Sequence, residues 1–397
     1  MNESTERTPL RILLVLTGGT IGTVIGEDGM RRLPEVDGRE PGDTGSEDAG
    51  RNCAASGGHR LNTEESESDD EGLRVRAAVS VSRSGEPMLL RALRERAPKL
   101  QLDVKVRVPY QVLSEHMTLG HLEKLAGCLR EEDLTQYDGV FVTHGSDTLA
   151  YTAAFLGELM QACPIPVFLL ATQRPLEDPG NNGVENTLAA TELLREAAET
   201  AACRPAGSFV YIPYRNSDGV MYLHHAEELC QCRPGTDDFF SAGMTVLERT
   251  AGGYHWPAGW IEAKTAGGAA TGIPEAVTHS PGCGSVTDPR DWRVPCISLT
   301  SDVLVLHPYV GIRYDCISLK GVGAVLHTLY HSSTAPKELA DFLDRCREAG
   351  VSCYILPCDP EDYHYETTAE LLAHGAIPLS GLTEERAYMR LLLREEL

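Results

Sequence analysis

The chain has 397 residues, 42% of them hydrophobic, and a formal net charge of −23 at neutral pH. Its length exceeds one ordinary compact domain and its apolar content fills real cores, so two folded units are expected. The acidic balance argues against nucleic acid or an anionic membrane surface as a partner, since both require clustered Lys and Arg.

In chain order, the first element is an apolar run from Leu10 to Leu16, which fits a strand buried on both faces of a parallel sheet. It ends in Thr17-Gly18-Gly19-Thr20-Ile21-Gly22, after which the composition changes. Residues 27–72 are rich in Gly, Ser, Glu, Asp and Arg, including the run from Glu64 to Glu71, and read as an acidic flexible insertion. Order resumes with a helix from Pro87 to Ala97 and a strand from Leu102 to Val108. Helix Gly120–Arg130, strand Gly139–Thr143, helix Thr148–Gln161, strand Val167–Thr172, helix Gly183–Glu199 and strand Ser208–Pro213 follow. That alternation predicts an α/β fold, with a mainly parallel sheet and helices on both faces. The segment Asn216 to Ala226 reads as a connection.

Residues 1–246 are thus expected to form the larger N-terminal domain and 247–296 an interdomain linker, with Gly, Ala, Pro and Trp prominent from Thr250 to Trp292. Residues 297–397 are expected to form a smaller α/β domain. Its predicted strands are Val303–His307, Ala324–His327 and Ser352–Leu356, and its predicted helices are Pro336–Ala349, Thr367–His374 and Thr383–Arg394. The polar start, Met1 to Pro9, lacks the layout of a secretory signal, and no apolar run is long enough to span a bilayer. The twelve cysteines are scattered, which fits free thiols in a reducing compartment and a cytoplasmic protein.

Ligands in open parallel sheets bind beyond the carboxyl ends of the strands. Three polar clusters fall there: Thr17 to Thr20, Ser114 to Met117, and Thr143 to Thr148. Gly18-Gly19 allows close backbone approach and offers N–H groups for an anion or oxyanion. The G-x-G-x-x-G spacing of a dinucleotide site is absent, as is the G-x-S-x-G elbow of serine hydrolases. On local grounds Asp147 and Thr148 fit helix capping as well as function.

Thr17-Gly18-Gly19-Thr20-Ile21-Gly22, together with Asp138-Gly139-Val140-Phe141-Val142-Thr143-His144-Gly145-Ser146-Asp147-Thr148-Leu149, resembles the two signature motifs of the bacterial-type asparaginase family. Leu113-Ser114-Glu115-His116-Met117 is similar to its substrate-binding turn, and Arg174-Pro175 with Gly183 and Asn186 to its next strand-end segment. Lys320 to Val325 and Gly375 to Pro378 are similar to parts of its small C-terminal domain. The resemblance implies hydrolysis of the side-chain amide of asparagine, or a related amide, to acid and ammonia. Thr20 would be the nucleophile and Ser146 the second hydroxyl. Asp147, assisted by Glu115, would hold the substrate ammonium, with Ser114 on the carboxylate and Gly19 and Gly145 lining the pocket. It implies no cofactor and no metal, and a homodimer or homotetramer.

Two family features are missing. No tyrosine occurs between Thr20 and Pro109, and no lysine occurs in Asn216 to Ala226, where the family's lysine partner of the second hydroxyl belongs. His224 stands roughly in that lysine's place and would supply a base near neutral pH. The alternative is that His224 and His225 are ordinary polar residues of a connection. Arg215 offers a cation but no base. His224, His225, Cys230 and Cys232 lack standard metal-site spacing. Two other functions share the motifs: an amino-acid-binding homologue that lost its activating groups, and the asparaginase-like subunit of a tRNA-dependent amidotransferase.

Overall fold

Leu10–Val15 (β1) is apolar at five of six positions, and all five are buried, with only Arg11 facing solvent. Leu13 and Val15 pack to one side of the sheet while Ile12 and Leu14 pack to the other. A strand with two buried faces belongs inside a sheet, and β1 lies between two parallel neighbours. The computed structural model describes residues 8–19, 21, 24–25, 31–32, 87–161, 163–200, 209–257, 292–359 and 365–394. Thr20, most of the acidic insertion and the middle of the expected linker lie outside them.

The elements that follow β1 are Met88–Arg96 (α1), Leu102–Arg107 (β2), Leu119–Arg130 (α2), Gly139–Thr143 (β3) and Leu149–Leu159 (α3). Val167–Leu170 (β4), Gly183–Glu199 (α4), Val210–Arg215 (β5), Met221–His225 (β6) and Thr245–Val246 (β7) come next. They form a seven-stranded sheet in the order β7-β6-β5-β4-β3-β1-β2. From β5 to β2 the strands are parallel, while β6 and β7 add antiparallel at the far edge. The chain therefore moves outward in both directions from β1. The crevice between the carboxyl ends of β1 and β3 is the topological switch point, where doubly wound sheets bind ligands.

The segment Asn216–Ala226 corrects an expectation. It is the turn and second strand of a hairpin, not a connection, with Met221 opposite Arg215 and His224 opposite Ile212. The turn uses Gly219 at φ +80°, and the Asn216 N–H donates to Val220 O at 3.1 Å. The described ends of the expected linker pack against cores: Leu247, Tyr254 and Trp256 on the α4 side, Trp292 and Val294 on the α3 side.

A second sheet holds Val303–Leu306 (β8), Ala324–Thr328 (β9), Ser352–Leu356 (β10) and Ile377–Pro378 (β11), all parallel and in that order. Leu339–Glu348 (α5) and Glu366–Ala373 (α6) cover one face, and Glu384–Leu393 (α7) the other. The α7 helix serves two cores. Met389 and Leu392 enter the core of the large sheet, while Ala387 and Leu391 enter that of the small one. Arg386 adds a buried ion pair to Glu158 of α3 and a second to Glu227, at 2.6 Å. Among the described residues no helix is long and apolar enough to cross a membrane.

Candidate active site

Three strand ends build the site, and glycine lets them meet. Beyond β1, Gly18 and Gly19 take φ +102° and +75°, a region side chains disfavour. A Cβ on Gly19 would stand 2.1 Å from Gly145 N, so the turns after β1 and β3 touch through backbone alone. A Cβ on Gly145 would meet Ser114 Oγ at 2.4 Å, which brings in the segment after β2. Gly19 N–H donates to Val112 O at 3.0 Å and is therefore spent in joining β1 to the β2 segment, not free for an oxyanion. The N–H groups of Gly145, Ser146, Asp147 and Thr148, in the turn that leads into α3, make no hydrogen bond among the described residues.

Ser114 is the hub of the charged side. It sits buried at the start of a 3-10 turn, Ser114–His116, and its Oγ donates to Asp147 Oδ2 at 3.2 Å. Thr148 Oγ1 donates to the Ser114 carbonyl at 3.0 Å. The local alternative of helix capping is thereby answered: Thr148 occupies the N-cap position of α3 but makes no side-chain cap bond, and the Asp147 carboxylate points to Ser114 instead. Glu115, exposed, follows Ser114 directly. Ser146 is half-buried, and its hydroxyl has no hydrogen-bond partner among the described residues.

His144 supports this turn from below. Its ring is buried, Nδ1 donates to Gly145 O at 2.7 Å, and Nε2 accepts from Thr152 Oγ1 at 2.8 Å. Burial lowers its pKa to about 4, so it is a neutral strut. Asn182 and Asn186 do similar work for β4 and β5. Asn186 Nδ2 donates to Ala171 O at 3.0 Å and its Oδ1 accepts from Arg215 N at 2.9 Å, while Asn182 Nδ2 donates to Arg215 O at 2.8 Å.

The structure thus brings together Gly19, Gly145, Ser114 and Asp147, with Ser146 and Glu115 as their chain neighbours and Thr20, next to Gly19, outside the described residues. It does not bring His224 to Ser146. His224 lies on β6 opposite Ile212, three strand spacings from β3, or about 14 Å. Its Nδ1 bonds Ser241 Oγ at 2.9 Å, its buried Nε2 has no partner among the described residues, and burial lowers its pKa to about 4. The residue that does reach the turn is one that sequence reasoning missed: Gln231 Nε2 donates to the Asp147 carbonyl. No pattern in Cys230-Gln231-Cys232 marks it, because the contact spans 84 residues.

At the switch point of this α/β sheet three strand ends meet and a serine hydroxyl rests on the Asp147 carboxylate, and residues 11–250 match the family described as "Asparaginase, N-terminal". The chain belongs to the asparaginase family. Among solved structures it is similar to the thermostable L-asparaginase from Thermococcus kodakarensis, with TM-score 0.61 and 16% identity over 97% of this chain and 92% of that one. L-asparaginase I from Vibrio cholerae gives TM-score 0.60 and 19% identity over 98% and 93%. At such identities the likeness establishes the fold, including the large and small sheets. Among curated proteins the chain is similar to a glutamyl-tRNA(Gln) amidotransferase subunit of Thermococcus kodakarensis, 25% identical over 73% of this chain and 61% of that one. The equivalent protein of Methanosarcina barkeri is 38% identical over 34% of this chain and 28% of its own. The chain spans about three fifths of the first relative's length and less of the second's.

Proposed function

We propose that the protein is an asparaginase-like amidohydrolase that cleaves the side-chain amide of asparagine, or of a related amino-acid amide, through an acyl-enzyme on Thr20. One observation carries the reading: the strand ends meet at the switch point so that Gly145, which precedes Ser146, packs on Ser114, whose hydroxyl rests on Asp147. In the free protein Ser114 Oγ–H rests on Asp147. A bound amino acid would offer Asp147 its ammonium and release the Ser114 hydroxyl to donate to the substrate carboxylate. Glu115 adds negative charge beside the ammonium. The Thr20 hydroxyl attacks the amide carbon, the C–N bond breaks as ammonia leaves with a proton, and water then cleaves the ester to regenerate Thr20. The main-chain N–H groups of the turn before α3, which have no acceptor among the described residues, receive the oxyanion.

The test is ammonia release from purified protein with L-asparagine, L-glutamine and their D-isomers. Release that disappears in Thr20→Ala is the expected result; equal rates in both proteins, or none on any amide, would sink the proposal. The names of the curated relatives favour a second reading, the ammonia-releasing subunit of a tRNA-dependent amidotransferase, with another polypeptide as partner. Turnover of free asparagine by the chain alone at ordinary enzyme rates favours the first reading. Release that requires an added amidotransferase subunit favours the second.

A further inference from the structure

Leu149 N–H, at the start of α3, donates to the Ser146 carbonyl at 3.4 Å, but the helix gives the Asp147 carbonyl no main-chain donor. Its first α-helical rung joins the Thr148 carbonyl to Thr152 N at 3.2 Å, which leaves the Asp147 carbonyl outside the helix. Among the described residues that carbonyl has one donor, Gln231 Nε2. Gln231 is held in its turn. Its main-chain N–H donates at 3.1 Å to Glu385 Oε1, a buried carboxylate in the first turn of α7. The next residue, Arg386, is ion-paired to Glu158 of α3, so α7 is locked to the helix whose N-terminus carries the turn. Gln231 Oε1 is buried and accepts nothing among the described residues, so the side chain acts through its donor alone.

We propose that Gln231 is the positioning residue of the site: its amide N–H fixes the Asp147 peptide, and with it the directions of the Asp147 carboxylate and the Ser146 hydroxyl. Through Glu385 the same contact makes site geometry depend on the seating of α7, a helix of the small sheet. This role rests on the amino-acid-amide reading above. Ser114 holds the turn from one side, at the carboxylate and through Thr148; Gln231 holds it from the other. Losing either point frees a peptide plane, and displacement of catalytic groups by about 1 Å costs on the order of 100-fold in rate.

The experiment compares Gln231→Met, which keeps the length and loses the donor, with Gln231→Lys, which keeps a donor. Readouts are L-aspartate affinity by calorimetry, kcat and KM for ammonia release from asparagine, and the melting temperature. Gln231→Met should weaken aspartate binding and kcat/KM by about 10-fold or more with little change in melting temperature. Gln231→Lys should restore both, and Glu385→Ala should shift them in the direction of Met by a smaller factor. If Met fails to fold, the Lys and Glu385→Ala proteins decide. Gln231→Met equal to wild type in both readouts, or a folded Lys variant as impaired as Met, overturns the role. Wild-type protein that binds aspartate without releasing ammonia refutes hydrolysis while the affinities still test Gln231. Protein that does neither overturns the site and Gln231's role with it.

Discussion

The meeting of Gly19 and the Ser114 side chain at Gly145 makes Gly145→Ala a sharp perturbation. Gly145 does not sit at positive φ, so a methyl group there acts through space alone. Its Cβ would lie 2.4 Å from Ser114 Oγ, 2.5 Å from Ser114 Cβ and 3.1 Å from Gly19 Cα. Ordinary contact is about 3.5–4.0 Å, so Ser114 must retreat by roughly 1 Å. Ser114 is buried and bonded to both Asp147 and Thr148, so it cannot retreat without breaking a contact at 3.2 Å or 3.0 Å. Overpacking of this kind costs about 2 kcal/mol, near 6 °C in melting temperature for a domain of this size. The accompanying shift of Asp147 should cost about 100-fold in kcat/KM. The assay is thermal unfolding followed by aromatic fluorescence, with aspartate titration on the same protein. Gly219→Ala is the control: φ +80° with open space around it strains the hairpin without touching the site, so it lowers the melting temperature and leaves aspartate affinity unchanged. Ser114→Gly in the Gly145→Ala background removes the clash and should recover the melting temperature but not the affinity. A Gly145→Ala protein with wild-type melting and wild-type affinity would refute the contact between the two turns.

Acid should destabilise the fold through its buried histidines. Burial lowers His144, His224 and His327 from 6.5 to about 4, so the stability they contribute is whole above 6.5 and is lost as pH falls toward 4, while the unfolded chain takes up protons. At pH 5 each costs about 2 kcal/mol. The raised carboxyls of Glu227 and Glu385 pull the other way, so the measurement is a difference: urea unfolding of His327→Gln should lose about 2 kcal/mol less than wild type between pH 7 and 5, and parallel curves would contradict this. Arg386→Met leaves Glu158 buried and unpaired and should cost about 3–5 kcal/mol by urea unfolding, partly recovered by Glu158→Gln.

The strand-end motifs were legible in the sequence because they are local. A both-faces-buried strand, a glycine pair and a polar turn sit within a dozen residues, and parallel topology sends every such turn to one edge of the sheet. The alternation of elements likewise announced two α/β sheets, and α4 and β10 begin and end where periodicity placed them. What stayed hidden depends on contacts between distant segments. Asn216–Ala226 carries polar and aromatic residues that read as a connection, and only pairing with β5 makes it a strand. That pairing buries His224 mid-sheet, away from Ser146, although its place along the chain suited a base. Gln231 reaches the Asp147 carbonyl from 84 residues away, and its own N–H bonds Glu385 of α7, 154 residues onward. Sequence by itself located the polar, glycine-rich turns at the strand ends. The tertiary structure decided which neighbour holds them, because hydrogen-bond reach is a few ångströms and chain separation says nothing about it.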